Sequence, residues 1–206
     1  MKDLFKRHPE LLLCEDSIKM ALDALIAAYE TGGKLLLCGN GGSAADCDHV
    51  VGELMKGFLL KRELTDGKKA ELKAANPNIG DELLQKLQRG LPAISLPSIC
   101  GLNSAFANDV CPDMIYAQSL LSLAVRGDVL IAISTSGNSK NVILAAELAK
   151  SIGVTVIALT GEGGGKLGEI ADITVGVPER ETFRVQELHL PVYHYLCAMI
   201  EEHFFG

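Results

Sequence analysis

The sequence predicts an α/β fold: a three-layer αβα sandwich with a five-stranded parallel sheet, flanked by N- and C-terminal helices. Short apolar runs alternate with helical stretches, the pattern of parallel strands joined by right-handed crossovers. The runs are continuously apolar, as expected for strands that are buried on both faces. With 206 residues, 48% of them hydrophobic, the chain can form one full core, and we expect a single domain over residues 1–206.

The predicted elements follow in chain order. A helical apolar stripe covers residues 10–31 and ends at Thr31-Gly32-Gly33. Buried strands are predicted at 34–38, 93–96, 128–133, 154–159 and 173–177. Helices are predicted at 44–59, 113–124, 139–152, 166–171 and 182–204. In a doubly wound, flavodoxin-like sheet, ligands bind beyond the carboxyl ends of the strands. That edge is formed here by loops 39–43, 97–109, 134–139 and 160–165.

One polar segment interrupts the alternation. Residues 61–90 are rich in Lys and Glu, and only a short amphipathic helix at 80–89 is predicted within them. We interpret this polar segment as an insertion after the helix at 44–59. It is either a solvated excursion or a lid and subunit contact.

Composition argues against several classes of function. The net charge of −7 and the isoelectric point near 5.2 disfavour nucleic acid as a partner, because binding its backbone needs a basic face. No apolar run approaches the ~20 residues of a membrane helix, and the N-terminus lacks a signal-peptide core, so we expect a cytoplasmic protein without a membrane partner. We expect the cysteines to be small, reduced core residues: Cys14, Cys38, Cys47, Cys100, Cys111 and Cys197.

A glycine-rich turn follows the first predicted strand. Gly39-Asn40-Gly41-Gly42-Ser43 offers backbone N–H groups at the start of a helix, where an oxyanion such as phosphate binds. With Ala44 the turn also fits the loose dinucleotide pattern. The acidic residue that this pattern needs about 20 residues later would fall in the polar segment, outside any strand. We therefore expect a sugar phosphate and no nucleotide cofactor, with a purely structural turn as the alternative.

A second anion site is predicted after the third strand. Ser134-Thr135-Ser136-Gly137-Asn138-Ser139 places four hydroxyls at the start of a helix. The alternative is that Ser139 only caps this helix, but one cap does not need four hydroxyl residues. Residues 161–166 lack the hydroxyl that follows the lysine of a nucleotide P-loop, and a flexible turn is predicted there.

His49 and Glu53 form a third signal. They are four residues apart and share one helix face just beyond the glycine-rich turn, where a substrate would extend. The last helix carries Gln186, His189 and His194 in an otherwise apolar stretch. Gln186 and His194 would complete a metal or acid–base set with the first pair. The alternatives are core histidines in the last helix and an exposed pair at 49 and 53.

The spacing in the last helix raises a geometric difficulty. Eight residues of helix separate Gln186 from His194, which is ~12 Å along the axis, so the two side chains barely reach one ion. Either Pro191 distorts the helix between them or one ligand comes from a neighbouring subunit.

These motifs together resemble the sugar isomerase (SIS) domain and, more narrowly, the phosphoheptose isomerase family, which includes sedoheptulose-7-phosphate isomerase. They occur in family order and cover most of the chain outside the polar segment. The matched segments are GNGGS at 39–43, His-x-x-x-Glu at 49–53, Asn108-Asp109, STSGNS at 134–139 and RVQELHLPVYH at 184–194.

The resemblance implies roles for the matched residues. Glu53 and His194 would be the catalytic acid–base pair. The ligands of a zinc ion would be His49, Glu53, Gln186 and His194. Substrate would contact Asn40, Gly41, Gly42, Ser43, Glu53, Asn108, Asp109, Ser134, Thr135, Ser136, Ser139, Thr182 and Gln186. The implied reaction isomerises sedoheptulose 7-phosphate to D-glycero-D-manno-heptose 7-phosphate through a cis-enediol, in a homotetramer with sites at subunit contacts.

Two departures from the family pattern lie beside the predicted site. Lys56-Gly57-Phe58 stands where the family usually has Gly-Arg-Phe, which leaves Lys56 or Arg62 as candidates to replace the substrate-facing arginine. The polar segment is also longer than the usual connection. The alternatives for function are therefore an isomerase of another sugar phosphate, or a non-catalytic SIS protein that senses a sugar phosphate or binds a protein.

Overall fold

The central sheet determines where the site lies. The computed structural model describes residues 3–206. Its five strands are parallel and lie in the order β2-β1-β3-β4-β5. They are β1 (Leu35–Cys38), β2 (Ala93–Ser95), β3 (Val129–Ile133), β4 (Thr155–Thr160) and β5 (Ile173–Gly176). This confirms the doubly wound, flavodoxin-like fold, whose strand order reverses between β1 and β3, where such sheets bind ligands.

Helices flank this sheet on both faces and at both ends of the chain. They are α1 (Leu4–Arg7), α2 (Glu15–Glu30), α3 (Gly42–Met55), α4 (Asp66–Ala75), α5 (Asp81–Lys86), α6 (Cys100–Asp109), α7 (Ile115–Leu123), α8 (Lys140–Ile152), α9 (Gly165–Ile170) and α10 (Thr182–Phe205). Across residues 3–206, no helix has the length and apolar character needed to cross a membrane.

Two apolar clusters confirm the three layers. Successive side chains of a strand point to opposite faces. Leu35 and Leu37 of β1 accordingly belong to the cluster that includes α2, α3 and α10. Leu36 and Cys38 belong to the cluster that includes α7, α8 and α9. Strands buried on both faces explain the continuous apolar runs in the sequence.

Several predicted boundaries were wrong. Pro9–Cys14 forms a 3-10 helix before α2, a common start for an α-helix. Helix α3 ends at Met55 instead of 59, because Lys56 is extended. Residues 97–109, predicted as a loop, contain the helix α6. This helix buries no residue, so it leaves no apolar stripe in the sequence.

The polar segment 61–90 is largely exposed but has fixed ends. An antiparallel bridge joins Glu63 to Gln88, and the Arg89 N–H donates to the Arg62 carbonyl at 2.6 Å. Between these ends lie α4, which was not predicted and buries no residue, and α5, which buries only Leu84. The described chain thus shows a solvated excursion, and a contact of this segment with another subunit stays a prediction.

The cysteines are free, and four are buried as predicted: Cys14, Cys38, Cys47 and Cys197. Burial raises the pKa of the Cys38 thiol to about 12, so this group stays protonated. The prediction of a core position was wrong for Cys100, which is exposed, and for Cys111, which is half-buried. Both lie in or just after α6, the helix without a buried face.

Candidate functional site

The glycine-rich and serine-rich loops meet where the strand order reverses. Asn40 follows β1, and Asn141 lies in the first turn of α8, after β3. Their side-chain amides form two reciprocal hydrogen bonds, of 2.8 and 2.9 Å. The Tyr116 hydroxyl donates to the Gly39 carbonyl at 2.7 Å and lies 3.1 Å from Oδ1 of Asn40. Asn40, predicted to contact the sugar, therefore holds the two loops together in this structure.

The first loop needs its glycines. Gly41 has a φ of +54°, which favours glycine. A Cβ on Gly42 would lie 2.5 Å from Nε2 of Gln186, so glycine at this position lets the amide from α10 reach the start of α3. Ser43 is buried in the first turn of α3. The loop thus brings three predicted substrate residues together with a fourth from the last helix.

The second loop leaves the start of α8 open to an anion. Ser139 occupies the N-cap position, but its hydroxyl does not cap the helix. Its Oγ lies 3.0 Å from Oγ of Ser134. The Val142 N–H already donates to the Ser139 carbonyl and to Oδ1 of Asn141. The N–H groups of Lys140 and Asn141, which come before it in the first turn, can bind an oxyanion. Ser139 thus takes the cap position that the alternative gave it, but without a hydrogen bond from its side chain to the helix.

The turn at 161–165 packs against the serine-rich loop. Gly137 has a φ of +65°, and a Cβ there would lie 1.9 Å from the Gly164 carbonyl oxygen. The Leu167 N–H donates to the Gly137 carbonyl at 2.9 Å, and the Gly161 N–H donates to the Thr135 carbonyl at 2.9 Å. The predicted strand-to-helix turn is therefore present, but it is packed against the serine-rich loop.

Glu53, His49 and His194 meet within one chain. Nε2 of His49 lies 3.3 Å from Oε1 of Glu53 and 3.3 Å from Nε2 of His194. The Glu53 side chain is only 14% exposed, and its Oε2 is buried without a hydrogen bond within the described chain. Nζ of Lys56 is 3.7 Å from this oxygen, beyond hydrogen-bond distance. No second subunit is needed to bring His194 to Glu53.

His189 and His194 of α10 differ in their surroundings, because His189 is fully buried and His194 is half-buried. Burial lowers the pKa of His194, and neighbouring His49 lowers it further, while Glu53 opposes both. The His194 ring is thus neutral near pH 7, with one N–H to transfer. Burial lowers the pKa of His189 to about 4, and its Nε2–H donates to the Thr160 carbonyl at 3.2 Å. His189 is the core histidine that the sequence allowed as an alternative.

Asp46 and Tyr193 extend this cluster and were not predicted from the sequence. The Tyr193 hydroxyl donates to Oδ1 of Asp46 at 3.1 Å and lies 3.1 Å from Nδ1 of His49. Burial raises the pKa of Tyr193, and nearby Asp46 raises it further, so the hydroxyl keeps its proton. The three-residue spacing of Asp46 and His49 was a signal that could have found Asp46. Tyr193 left no such signal.

Gln186 does not join the histidine cluster. Its amide packs against Gly42, about two helical turns before His49. Helix α10 continues through Pro191, so the proposed break between Gln186 and His194 is absent. In the part of the chain that the structure describes, no group of three or more His, Cys, Asp or Glu side chains is arranged to hold a metal ion. The position of Gln186 therefore fits a substrate contact.

The remaining predicted substrate residues are only partly assembled. Asn108 and Asp109 lie in the last turn of α6, where the Asn108 amide donates to Asp109 at 2.8 Å. Within residues 3–206, neither side chain hydrogen-bonds to the two loops. Thr182 is exposed at the start of α10, one turn before Gln186.

Arg62 does not replace the missing substrate-facing arginine. It is fully buried, and its Nε lies 2.7 Å from Oε1 of Glu201. Its other nitrogens donate to the carbonyls of Leu54, at 2.6 Å, and Glu53, at 3.0 Å. The Glu201 carboxylate also accepts, at 2.7–3.1 Å, from the N–H groups of Phe58, Leu59 and Leu60. Arg62 therefore terminates α3 and fixes the backbone of Glu53, which leaves exposed Lys56, 3.7 Å from Glu53, as the remaining candidate for the missing arginine.

The fold and site define an α/β protein with two helix-start loops suited to an anionic group at a sheet switch point and with acid–base side chains beside them. Residues 10–79 and 89–161 match the family model described as SIS domain. The chain is 37% identical over 203 residues to the phosphoheptose isomerase of Helicobacter pylori (strain P12), across 98% of this chain and 91% of that protein. This chain belongs to the SIS domain family and, within it, to the phosphoheptose isomerase family.

Solved structures agree with this assignment. The phosphoheptose isomerase GmhA from Neisseria gonorrhoeae has a TM-score of 0.76 and 29% identity, covering 98% of this chain and 94% of that one. A phosphoheptose isomerase from Francisella tularensis has a TM-score of 0.75 and 30% identity, with coverages of 91% and 86%. The interruption in the family match, residues 80–88, falls in the polar segment.

Proposed function

We propose that this chain isomerises sedoheptulose 7-phosphate to D-glycero-D-manno-heptose 7-phosphate. The observation that carries the proposal is the meeting of Glu53 and His194, on either side of His49, in a chain with two anion-binding loops. The family supplies the substrate class, and the site supplies the proton-transfer groups. A sensor or an adaptor has no need for a half-buried carboxylate beside a pair of imidazoles.

The phosphate end of the substrate binds at the two loops. The groups available there are the first-turn N–H groups of α8 and the hydroxyls of Ser43, Ser134, Thr135, Ser136 and Ser139. This set explains how a chain with a net charge of −7 binds an anion. Binding energy from the phosphate end orients the reacting carbons, which lie further along α3 toward Glu53.

Proton transfer at the other end uses two groups. Glu53 removes a proton from C1 of the ketose while His194 donates its proton to O2, which forms the cis-enediol. Glu53 then returns its proton to C2 while the proton on O1 passes back to His194, which leaves the aldehyde at C1. Both groups end in their starting states. Positioned acid–base catalysis of this kind contributes about 10²–10⁴-fold to the rate.

The reaction is tested by proton NMR of sedoheptulose 7-phosphate with the protein in D₂O. An isomerase that passes through an enediol must produce the aldose and incorporate deuterium at C1 or C2. Neither signal is expected from a sensor or an adaptor, and their absence would refute the proposal. A parallel panel of hexose and pentose phosphates tests the choice of the seven-carbon sugar.

Replacing Ser136 with alanine should raise KM several-fold and change kcat little. The hydroxyl belongs to the serine-rich loop, and its loss weakens phosphate binding without touching Glu53 or His194. Ser151→Ala is the matched control, because Ser151 lies at the far end of α8 and its hydroxyl bonds only to the Glu147 carbonyl in the described chain. Steady-state kinetics decide the matter: equal KM values for the two variants would remove Ser136 from the phosphate site.

Zinc binding is a separate proposal, and donor chemistry supports it. His49 and His194 offer imidazole nitrogens and Glu53 offers a carboxylate oxygen, all of which are zinc ligands. Oε2 of Glu53 is also buried without a hydrogen bond within the described chain. A bound zinc ion would polarise the substrate carbonyl. Because these donors are not arranged as ligands in this structure, the proton transfers above involve only side chains of the protein.

His49→Asn should weaken zinc binding by on the order of 10-fold or more, since it removes one imidazole ligand. Calorimetric titration of chelator-treated protein with zinc measures this without any assay of activity. His203→Asn is the control, because His203 pairs with Glu30 at the far end of α10. Equal affinities for both variants, or no binding by the unmodified protein, would contradict the zinc proposal.

We also propose a homotetramer whose active sites lie at subunit contacts. Its support is the exposure of large apolar side chains before and within α2, with Leu13 83% and Met20 54% exposed. Light scattering that gives the mass of a single chain would refute it. The cytoplasmic location and the absence of a nucleic-acid partner stay predictions.

A further inference from the structure

A chain of hydrogen bonds links the Asp46 carboxylate to the proton-transfer groups. Asp46 and His49 share one face of α3, and Tyr193 reaches both of them from α10. The Tyr193 oxygen is 3.1 Å from Oδ1 of Asp46 and 3.1 Å from Nδ1 of His49. The rings of Tyr193 and His49 meet edge to face, with centroids 5.5 Å apart. Tyr193 is only 1% exposed, so water does not compete for its hydrogen bonds.

The hydrogens in this chain follow from its donors and acceptors. The tyrosine hydroxyl has one proton, and a carboxylate can only accept. Once Tyr193 donates to Asp46, its oxygen can act toward His49 only as an acceptor. Nδ1 of His49 must then carry the hydrogen, and the neutral ring keeps a lone pair on Nε2.

We infer that Tyr193, held in turn by Asp46, is a positioning residue that fixes His49 as the Nδ1–H tautomer. The Nε2 lone pair of His49 then faces Nε2 of His194, 3.3 Å away. This orients the ring that exchanges protons with the substrate oxygens. The kinetic part of the inference rests on the proposed function, whereas the tautomer of His49 does not.

The same geometry predicts how the tautomer of His49 changes when Tyr193 or Asp46 is replaced. Tyr193→Phe keeps the ring and removes the acceptor of the Nδ1 hydrogen, so His49 should no longer favour one tautomer. Asp46→Ala removes the acceptor of the tyrosine proton, so Tyr193 should donate to Nδ1 instead. His49 should then become the Nε2–H tautomer, which has no lone pair on Nε2.

The test compares Tyr193→Phe with Tyr195→Phe, a matched loss of one hydroxyl on the same helix, from a ring that packs near Phe5. Long-range ¹H–¹⁵N NMR of the ring nitrogens reports the tautomer of His49, with its signals assigned from the spectrum of His49→Asn. We expect the Nδ1–H form in the unmodified protein and in Tyr195→Phe, and its loss in Tyr193→Phe. We also expect kcat of Tyr193→Phe to fall about 10-fold or more, with KM within about 2-fold, as for other orienting partners.

Two results would overturn the inference. One is an unchanged Nδ1–H tautomer in Tyr193→Phe, and the other is an Nε2–H tautomer in the unmodified protein. If Tyr193→Phe does not fold, the tautomer of His49 in Asp46→Ala decides between the same outcomes. An unmodified protein without isomerase activity would refute the proposed function alone, because the NMR measurement needs no turnover.

Discussion

Glu53→Gln is expected to lower kcat by about 10²–10⁴-fold, the contribution of a positioned general base. Glutamine keeps the size of the side chain but cannot take a proton from carbon. The phosphate loops lie one or more helical turns away, so binding of the sugar phosphate should change little. Turnover and deuterium incorporation, followed by NMR in D₂O, measure the first effect, and calorimetry of substrate binding measures the second.

The control for this experiment is Glu147→Gln in α8, which removes the same charge from an exposed helical position. It should keep both turnover and binding. If Glu53→Gln retained near-normal deuterium incorporation, Glu53 would not be the carbon base. The base would then have to be sought among the neighbouring groups, with His49 the first candidate because its Nε2 lies closest to Glu53.

Arg62→Met is expected to lower the free energy of unfolding by about 3–5 kcal/mol, the usual cost of leaving one member of a buried ion pair unpaired. Glu201 would remain buried with its charge, and the carbonyls at the end of α3 would lose their donors. Denaturant unfolding at pH 7 measures the effect. Burial pushes the pKa of Glu201 up, but backbone N–H donors and Arg62 outweigh it and hold the pKa below its ordinary value. Glu201 is therefore ionised at pH 7.

The matched control is Lys86→Met in α5, which breaks the exposed pair between Lys86 and Glu82. Exposed pairs contribute little, so this variant should unfold close to the unmodified protein. Comparing the stabilities of the two variants distinguishes the loss of the buried ion pair from a general effect of losing a positive charge. Equal stability of the two variants would show that Arg62 does not hold the segment after α3 in place.

The fold was predictable because its signal is local. Each strand is a short apolar run buried on both faces, and each helix that packs on the sheet carries its own apolar stripe. Helices α4 and α6 escaped prediction for the same reason, since neither buries a residue and neither leaves a stripe. The meeting of loops 39–43 and 134–139 followed from the rule that ligands bind at a switch point. The amide pair of Asn40 and Asn141 then fixes their separation.

The site was predictable only in part. Glu53 and His49 are four residues apart in one helix, so their proximity was certain once the helix was known. That His194 lies beside them, and in the same chain, depends on how α10 packs against α3. The same packing places Gln186 at Gly42, away from the histidines, which separates the two roles that the resemblance assigned to it.

The sequence by itself determined the sheet, the two loops predicted to bind an anion and the types of the residues predicted to transfer protons, because each depends on near neighbours in the chain. The tertiary structure decided which distant side chains complete them. The sequence offered Arg62 as a candidate to replace the substrate-facing arginine, whereas the structure pairs it with Glu201 of the last helix. Tyr193 left no signal in the sequence, and only the structure places its hydroxyl between Asp46 and His49. These contacts join residues more than a hundred positions apart. A sequence pattern records periodicity along one helix or strand, but it does not record the distance between two such elements.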